Sequence, residues 1–191
     1  MKRYPLGDEL DAWCQGRNWL VRAPVLVFFG YVLFRHLADP DYLSVLQGLN
    51  LGVHELGHLL FVYFGRFLSV FGGTFWELAA PLLGMWNFYR QRDFFAILAC
   101  FGWLSTALFD VGRYAADARA LAIPLVAPFG GGEDGVGHDW QFMLGQAGLL
   151  PYDQLIGGAF RVAGVVAMLV CLVGGAFLLW RMAGSAQDRF R

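Results

Sequence analysis

Five long apolar stretches, at residues 24–37, 42–64, 67–89, 94–114 and 158–180, leave this chain little choice of solvent. A helix needs about 20 mostly apolar residues to cross a hydrocarbon layer of roughly 30 Å. All but the first stretch approach or exceed that length. The chain is 58% hydrophobic and 15% charged, whereas a soluble domain carries roughly 25% charged residues. One small core could not hide that excess, so lipid is the expected surrounding. The expectation is an all-α polytopic membrane protein of about five transmembrane helices, folded as a single membrane-embedded domain over residues 1–191.

Each stretch carries its own punctuation. Residues 1–20 mix Trp13, Trp19 and Leu20 with Asp8, Glu9, Asp11 and Arg17. That pattern predicts an interfacial amphipathic segment, not a cleavable signal with one apolar run. The turn Ala38-Asp39-Pro40-Asp41 closes the first span. In the third stretch Gly72-Gly73-Thr74 and Pro81 predict an irregular first half, extended or re-entrant instead of helical. Residues 115–157 form the one long polar connection, a glycine- and proline-bearing loop with a half-helix. It holds Pro124, Pro128, Gly130 to Gly132 and the string Gly135-Val136-Gly137-His138-Asp139.

The positive-inside rule gives two answers. With five full spans and a cytoplasmic N-terminus, Lys2, Arg3, Arg17, Arg22, Arg66, Arg113, Arg119 and Arg161 fall inside. Arg35, Arg90, Arg92, Arg181, Arg189 and Arg191 then fall outside. If residues 67–89 dip and return, the split becomes ten inside against four outside. Site chemistry favours five spans, with the polar connection beside residues 65–67 and the two chain ends on opposite sides.

Other classes are excluded by charge and cysteine placement. A net charge of -1 with no basic run removes the electrostatic basis for binding nucleic acid. Cys14, Cys100 and Cys171 are too scattered for a disulfide framework or a thiolate zinc site.

The informative string is His54-Glu55-Leu56-Gly57-His58, inside the second stretch. Residues four apart share a helix face, so both imidazoles can reach one metal while Glu55 stands beside it. Catalytic zinc takes three protein ligands and keeps one position open for water. Glu55 is then placed as the general base for that water. Three ionisable side chains in one apolar span mark a functional site, because burying them is expensive.

The run Gly52-Val53-His54-Glu55-Leu56-Gly57-His58-Leu59-Leu60 resembles the site-2 protease family of intramembrane zinc metallopeptidases. The resemblance covers roughly residues 46–150. It also extends to uncharacterised bacterial membrane proteins of the same broad group that carry a His-Asp-Trp string. It implies zinc (Zn2+), peptide-bond hydrolysis in the membrane, a membrane-spanning or membrane-tethered substrate in contact with lipid, and a bacterial inner membrane. In that family an aspartate from a later Leu-Asp-Gly motif is the third ligand. Here the tripeptide is absent, and His138-Asp139-Trp140 stands in a similar place.

Asp139 is therefore the expected third ligand, with His138, Asp117 and Asp110 as alternatives. Ligand type does not separate them, because zinc accepts carboxylate or imidazole. Asp139 opens an apolar run whose helix N-terminus would favour its charge. His138 is then read as a catalytic donor to the oxyanion. Asp110, Arg113, Tyr114 and Asp117 share one side of the fourth span, as site-lining residues or as an interfacial ion-pair cluster. Residues 69–75 are either an extended edge for substrate or a glycine-bearing break in a packed helix. The function read is a zinc-dependent intramembrane peptidase. The alternative is a non-proteolytic membrane zinc-binding protein, a carrier or sensor.

Overall fold

The computed structural model describes residues 6–124 and 137–187. Lys2, Arg3, Pro128, Gly130 to Gly132, Gly135, Val136, Arg189 and Arg191, which entered the readings above, lie outside them. Among the described residues every element is helical: α1 (Leu6–Cys14), α2 (Ala23–Ala38), α3 (Gln47–Phe61), α4 (Arg66–Arg90), α5 (Phe94–Ala116), α6 (Asp139–Gln146) and α7 (Asp153–Gln187). Three of them, α4, α5 and the helical run Leu150–Ser185 that contains most of α7, are long and apolar enough to cross a membrane. The apolar helix α2 is shorter, at 16 residues.

The central pair is α5 and α7, antiparallel and packed along their length. Gly112 meets Gly157 closely enough that a Cβ on Gly112 would stand 2.9 Å from the Gly157 carbonyl. Further along, the Ser105 hydroxyl donates to the Gly164 carbonyl at 2.7 Å, and Leu98 packs on Gly174. On the other side of α5, α4 folds back through a tight turn. The Asp93 carboxylate there caps α5 by accepting from the Ala96 N–H at 3.1 Å.

Two expectations need correction here. The first concerns α4, which is one continuous helix from Arg66 to Arg90 with Pro81 inside it. Gly72 and Gly73 do not break it. They let the α3 and α4 backbones touch: a Cβ on Gly57 would collide with the Gly72 carbonyl, and one on Gly72 would stand 2.6 Å from the Gly57 carbonyl. The sharp reversal lies earlier, at Gly65, whose φ of 89° favours glycine. Residues 69–75 therefore offer no extended edge.

The second correction concerns the count of crossings. Along α2, Phe29 meets Gly102 and His36 stacks on Phe109, so α2 runs in the same direction as α5. Along α3, Asn50 bonds to Thr106 and Asp110, and His54 lies 6.1 Å from the Tyr114 ring, so α3 runs that way too. Two successive helices pointing the same way cannot be successive crossings. Residues 39–46 double back between them: Tyr42 packs edge-on to His36, and both Tyr42 and Leu46 pack against the cluster of Phe29, Val32, Met168 and Cys171.

So α2 and the helix within the stretch 42–64 are not antiparallel neighbours, as two successive spans would be. That helix, α3, has 15 residues and runs on as one 3-10 turn through Phe64, and it is not among the helices long and apolar enough to cross. The end of α7 also returns to α1. The Ser185 hydroxyl donates to the Cys14 carbonyl at 3.4 Å, and Arg181 pairs with Asp11. The first and last described helices thus share one end of the bundle, whereas opposite ends were expected.

Candidate metal centre

Helical spacing puts His54 and His58 on one face of α3, their rings 4.7 Å apart. Each imidazole is held by its far nitrogen. Nδ1 of His54 lies 2.9 Å from Oε2 of Glu77, and Nδ1 of His58 lies 2.8 Å from the Ser69 carbonyl oxygen, both on α4. A carboxylate and a carbonyl both demand a proton on Nδ1, which leaves each Nε2 lone pair free. The two Nε2 atoms converge on Oδ2 of Asp139, at 3.0 and 3.2 Å.

Those spacings suit one ion. Zinc holds nitrogen and oxygen ligands at about 2.0–2.1 Å in a tetrahedron, which sets the ligand atoms about 3.3–3.4 Å apart. The two imidazole–carboxylate contacts fall within a few tenths of an ångström of that edge, and the three ligand atoms all lie within 4.8 Å of one another. Among the described residues, His54, His58 and Asp139 form a group of His, Cys, Asp and Glu side chains able to hold a metal. The three cysteines are free, buried and apart from it.

Asp139 reaches the site because α6 is fixed at both faces. Inward, Trp140, Met143 and Leu144 pack with Val111, Ala115 and Ala118. Beside the start of α4, the Phe142 ring lies under the Arg66 guanidinium at 4.7 Å and 6.4 Å from Phe67. The Asp139 N–H donates to the Tyr114 hydroxyl at 3.2 Å. The polar connection thus meets the bundle where α3 ends and α4 begins.

The other residues singled out in the sequence take separate places. His138 does not face the metal-ligand cluster. It caps α6, its Nδ1 accepting from the Gln141 N–H at 3.3 Å, with its ring 4.1 Å from Tyr114. Its Nε2 is buried 3.4 Å from Oδ2 of Asp117 and makes no hydrogen bond among the described residues. Burial holds the imidazole below its usual pKa, with the Asp117 and Asp139 carboxylates opposing that shift. Its Nδ1 is engaged in the cap, so the oxyanion role read for His138 would fall to Nε2, beside Asp117. Asp117 accepts from the Ala122 and Ile123 N–H groups. Asp110 accepts from Asn50 at 2.6 Å, and Arg113 pairs with Asp41. Of that group, only Tyr114 touches the ligand residues.

Glu55 is half-buried, about 100° around α3 from His54. Among the described residues it forms no ion pair.

Sequence reasoning missed Glu77, and it took Ser69 and Gly73 only as parts of an edge or a helix break. Glu77 carried a usable signal, as a lone acid in the apolar run Thr74 to Leu83, where an ionisable residue marks function by default. The Ser69 contribution is a backbone carbonyl and leaves no trace in residue type. No protein-family model, no curated protein and no solved structure matches this chain.

Proposed function

We propose that the protein is a zinc-dependent intramembrane peptidase of the site-2 protease kind, with His54, His58 and Asp139 as ligands and Glu55 as general base. What carries the reading is the convergence of two helix-borne imidazoles and a carboxylate from a distant segment, with an acceptor oxygen against the far nitrogen of each imidazole. In this reading α4, α5 and α7 cross the membrane together with the shorter α2, and α3, which runs the same way as α2, adds no crossing of its own. Placement in a bacterial inner membrane follows from the family resemblance.

Zinc, when bound, would acidify a water molecule and polarise the scissile carbonyl. The chain's own residues do the rest. Glu55 takes a proton from the attacking water on its carboxylate and passes it to the leaving amine. Glu77 and the Ser69 carbonyl keep the two imidazoles from rotating while charge develops. Tyr114 holds the backbone of Asp139, and His138 holds the start of α6.

Glu55→Gln is the test. An amide cannot accept the proton, so hydrolysis of an unfolded, membrane-tethered peptide should fall by about 100-fold or more. Zinc should stay near one per chain. Undiminished hydrolysis would remove Glu55 from the mechanism. A wild-type chain that binds zinc but cleaves nothing would favour a carrier or sensor.

A further inference from the structure

Glu77 sits mid-way along α4, with its side chain 6% exposed. Among the described residues its hydrogen-bond partner is Nδ1 of His54. A carboxylate at that depth is expensive, and one hydrogen bond to a neutral ring offsets little of the cost. It is not needed to join the helices, because the Gly57 and Gly72 backbones already touch and His58 binds the Ser69 carbonyl.

Charge supplies the reason. The ligand atoms are two neutral nitrogens and one carboxylate oxygen, so a divalent cation among them keeps one unbalanced positive charge. An unbalanced charge in an apolar bundle is disfavoured strongly. The Glu55 carboxylate gives up its charge when it takes the proton in the reading above, whereas an ionised Glu77, one imidazole away from the ion, would keep a negative charge in place throughout. The His58 side cannot supply it, since its Nδ1 faces a neutral carbonyl.

We propose that Glu77 is a positioning residue that fixes His54 in its metal-binding tautomer and balances a divalent cation held by His54, His58 and Asp139. The proposal rests on the metal-centre reading above. Glu77 touches neither substrate nor reacting water; it acts through His54.

Cobalt(II) is the probe, titrated into the purified full-length chain in detergent and followed by its visible absorption. Glu77→Gln keeps an acceptor for Nδ1–H and loses the charge; Glu77→Ala loses both. Cobalt affinity should fall about tenfold in the first variant and about 100-fold in the second. The cobalt band should change shape in the second. Helicity and metal-free melting, measured in parallel, separate metal binding from folding. If Glu77→Ala fails to fold, the tenfold loss in folded Glu77→Gln still decides. Wild-type affinity in folded variants, or a melting loss without an affinity loss, overturns the role of Glu77 alone. A wild-type chain that takes up no cobalt overturns the metal centre with it.

Discussion

A Cβ added to Gly73 would stand 2.5 Å from Nε2 of His54 and 2.6 Å from Cε1 of His58. The α4 backbone thus forms one wall of the space where the two lone pairs meet. A methyl group there must displace an imidazole or fill the space itself. Gly73→Ala should therefore weaken zinc binding by at least about 100-fold, the upper range for losing ligand orientation. Helix propensity favours alanine by about 1 kcal/mol, so the metal-free fold should survive. Zinc content and circular dichroism on one sample check both halves. Full zinc loading would mean that the site opens away from α4.

The same glycine shows where sequence reading stopped. His54, Glu55 and His58 were legible because a helical period fixes their relation without tertiary knowledge. Asp139 was legible as an acid opening an apolar run. Gly72 and Gly73 looked like a break because local propensity treats glycine as punctuation. Their use here is steric, and it appears only once α3 lies against α4. The reversal at residues 39–46 was hidden for a similar reason. The stretch 42–64 reads as one apolar run, and nothing local says that Tyr42 and Leu46 turn back onto the cluster of Phe29, Val32, Met168 and Cys171.

That reversal changes which surfaces face the same side. Five full spans would put Tyr63 on the side of Gln15 and the end of α7 opposite. The observed bundle does the reverse. Gln15 and Tyr63 are exposed, Tyr63 at 94%, and the wild-type cysteines are buried. In sealed vesicles, an impermeant thiol reagent should label Gln15→Cys and Gly184→Cys from one side and Tyr63→Cys from the other. Labelling of Gln15→Cys and Tyr63→Cys from the same side would restore the five-span order.

Metal should also hold the fold together, because its ligands come from two separate helices, α3 and α6. Binding to the folded state alone adds stability as RT ln(1 + [L]/Kd), about 4 kcal/mol at a thousandfold excess over Kd. A chelator should lower the melting temperature, and zinc should restore it in proportion to the logarithm of its concentration. A melting temperature indifferent to both would mean that the cluster stays empty.

The last prediction separates Asp139 from His138, neighbours with opposite orientations. Oδ2 of Asp139 lies 3.0 and 3.2 Å from the two imidazoles, whereas His138 turns its nitrogens to the Gln141 N–H and to Asp117. Asp139→Ala removes a ligand atom and leaves α6 capped, so zinc affinity should fall by about 100-fold or more while helicity holds. His138→Ala removes a cap, a loss of about 1 kcal/mol in typical helices. It should loosen α6 and lower affinity only modestly, by about tenfold or less. Asparagine is a strong N-cap, so His138→Asn should recover most of that loss, which it could not do if imidazole were a ligand or an oxyanion donor. Affinity and turnover measured across the three variants decide between the roles. Near-normal binding in Asp139→Ala, with collapse in both His138 variants, would transfer the third ligand to His138 and require α6 to rotate from the position seen here.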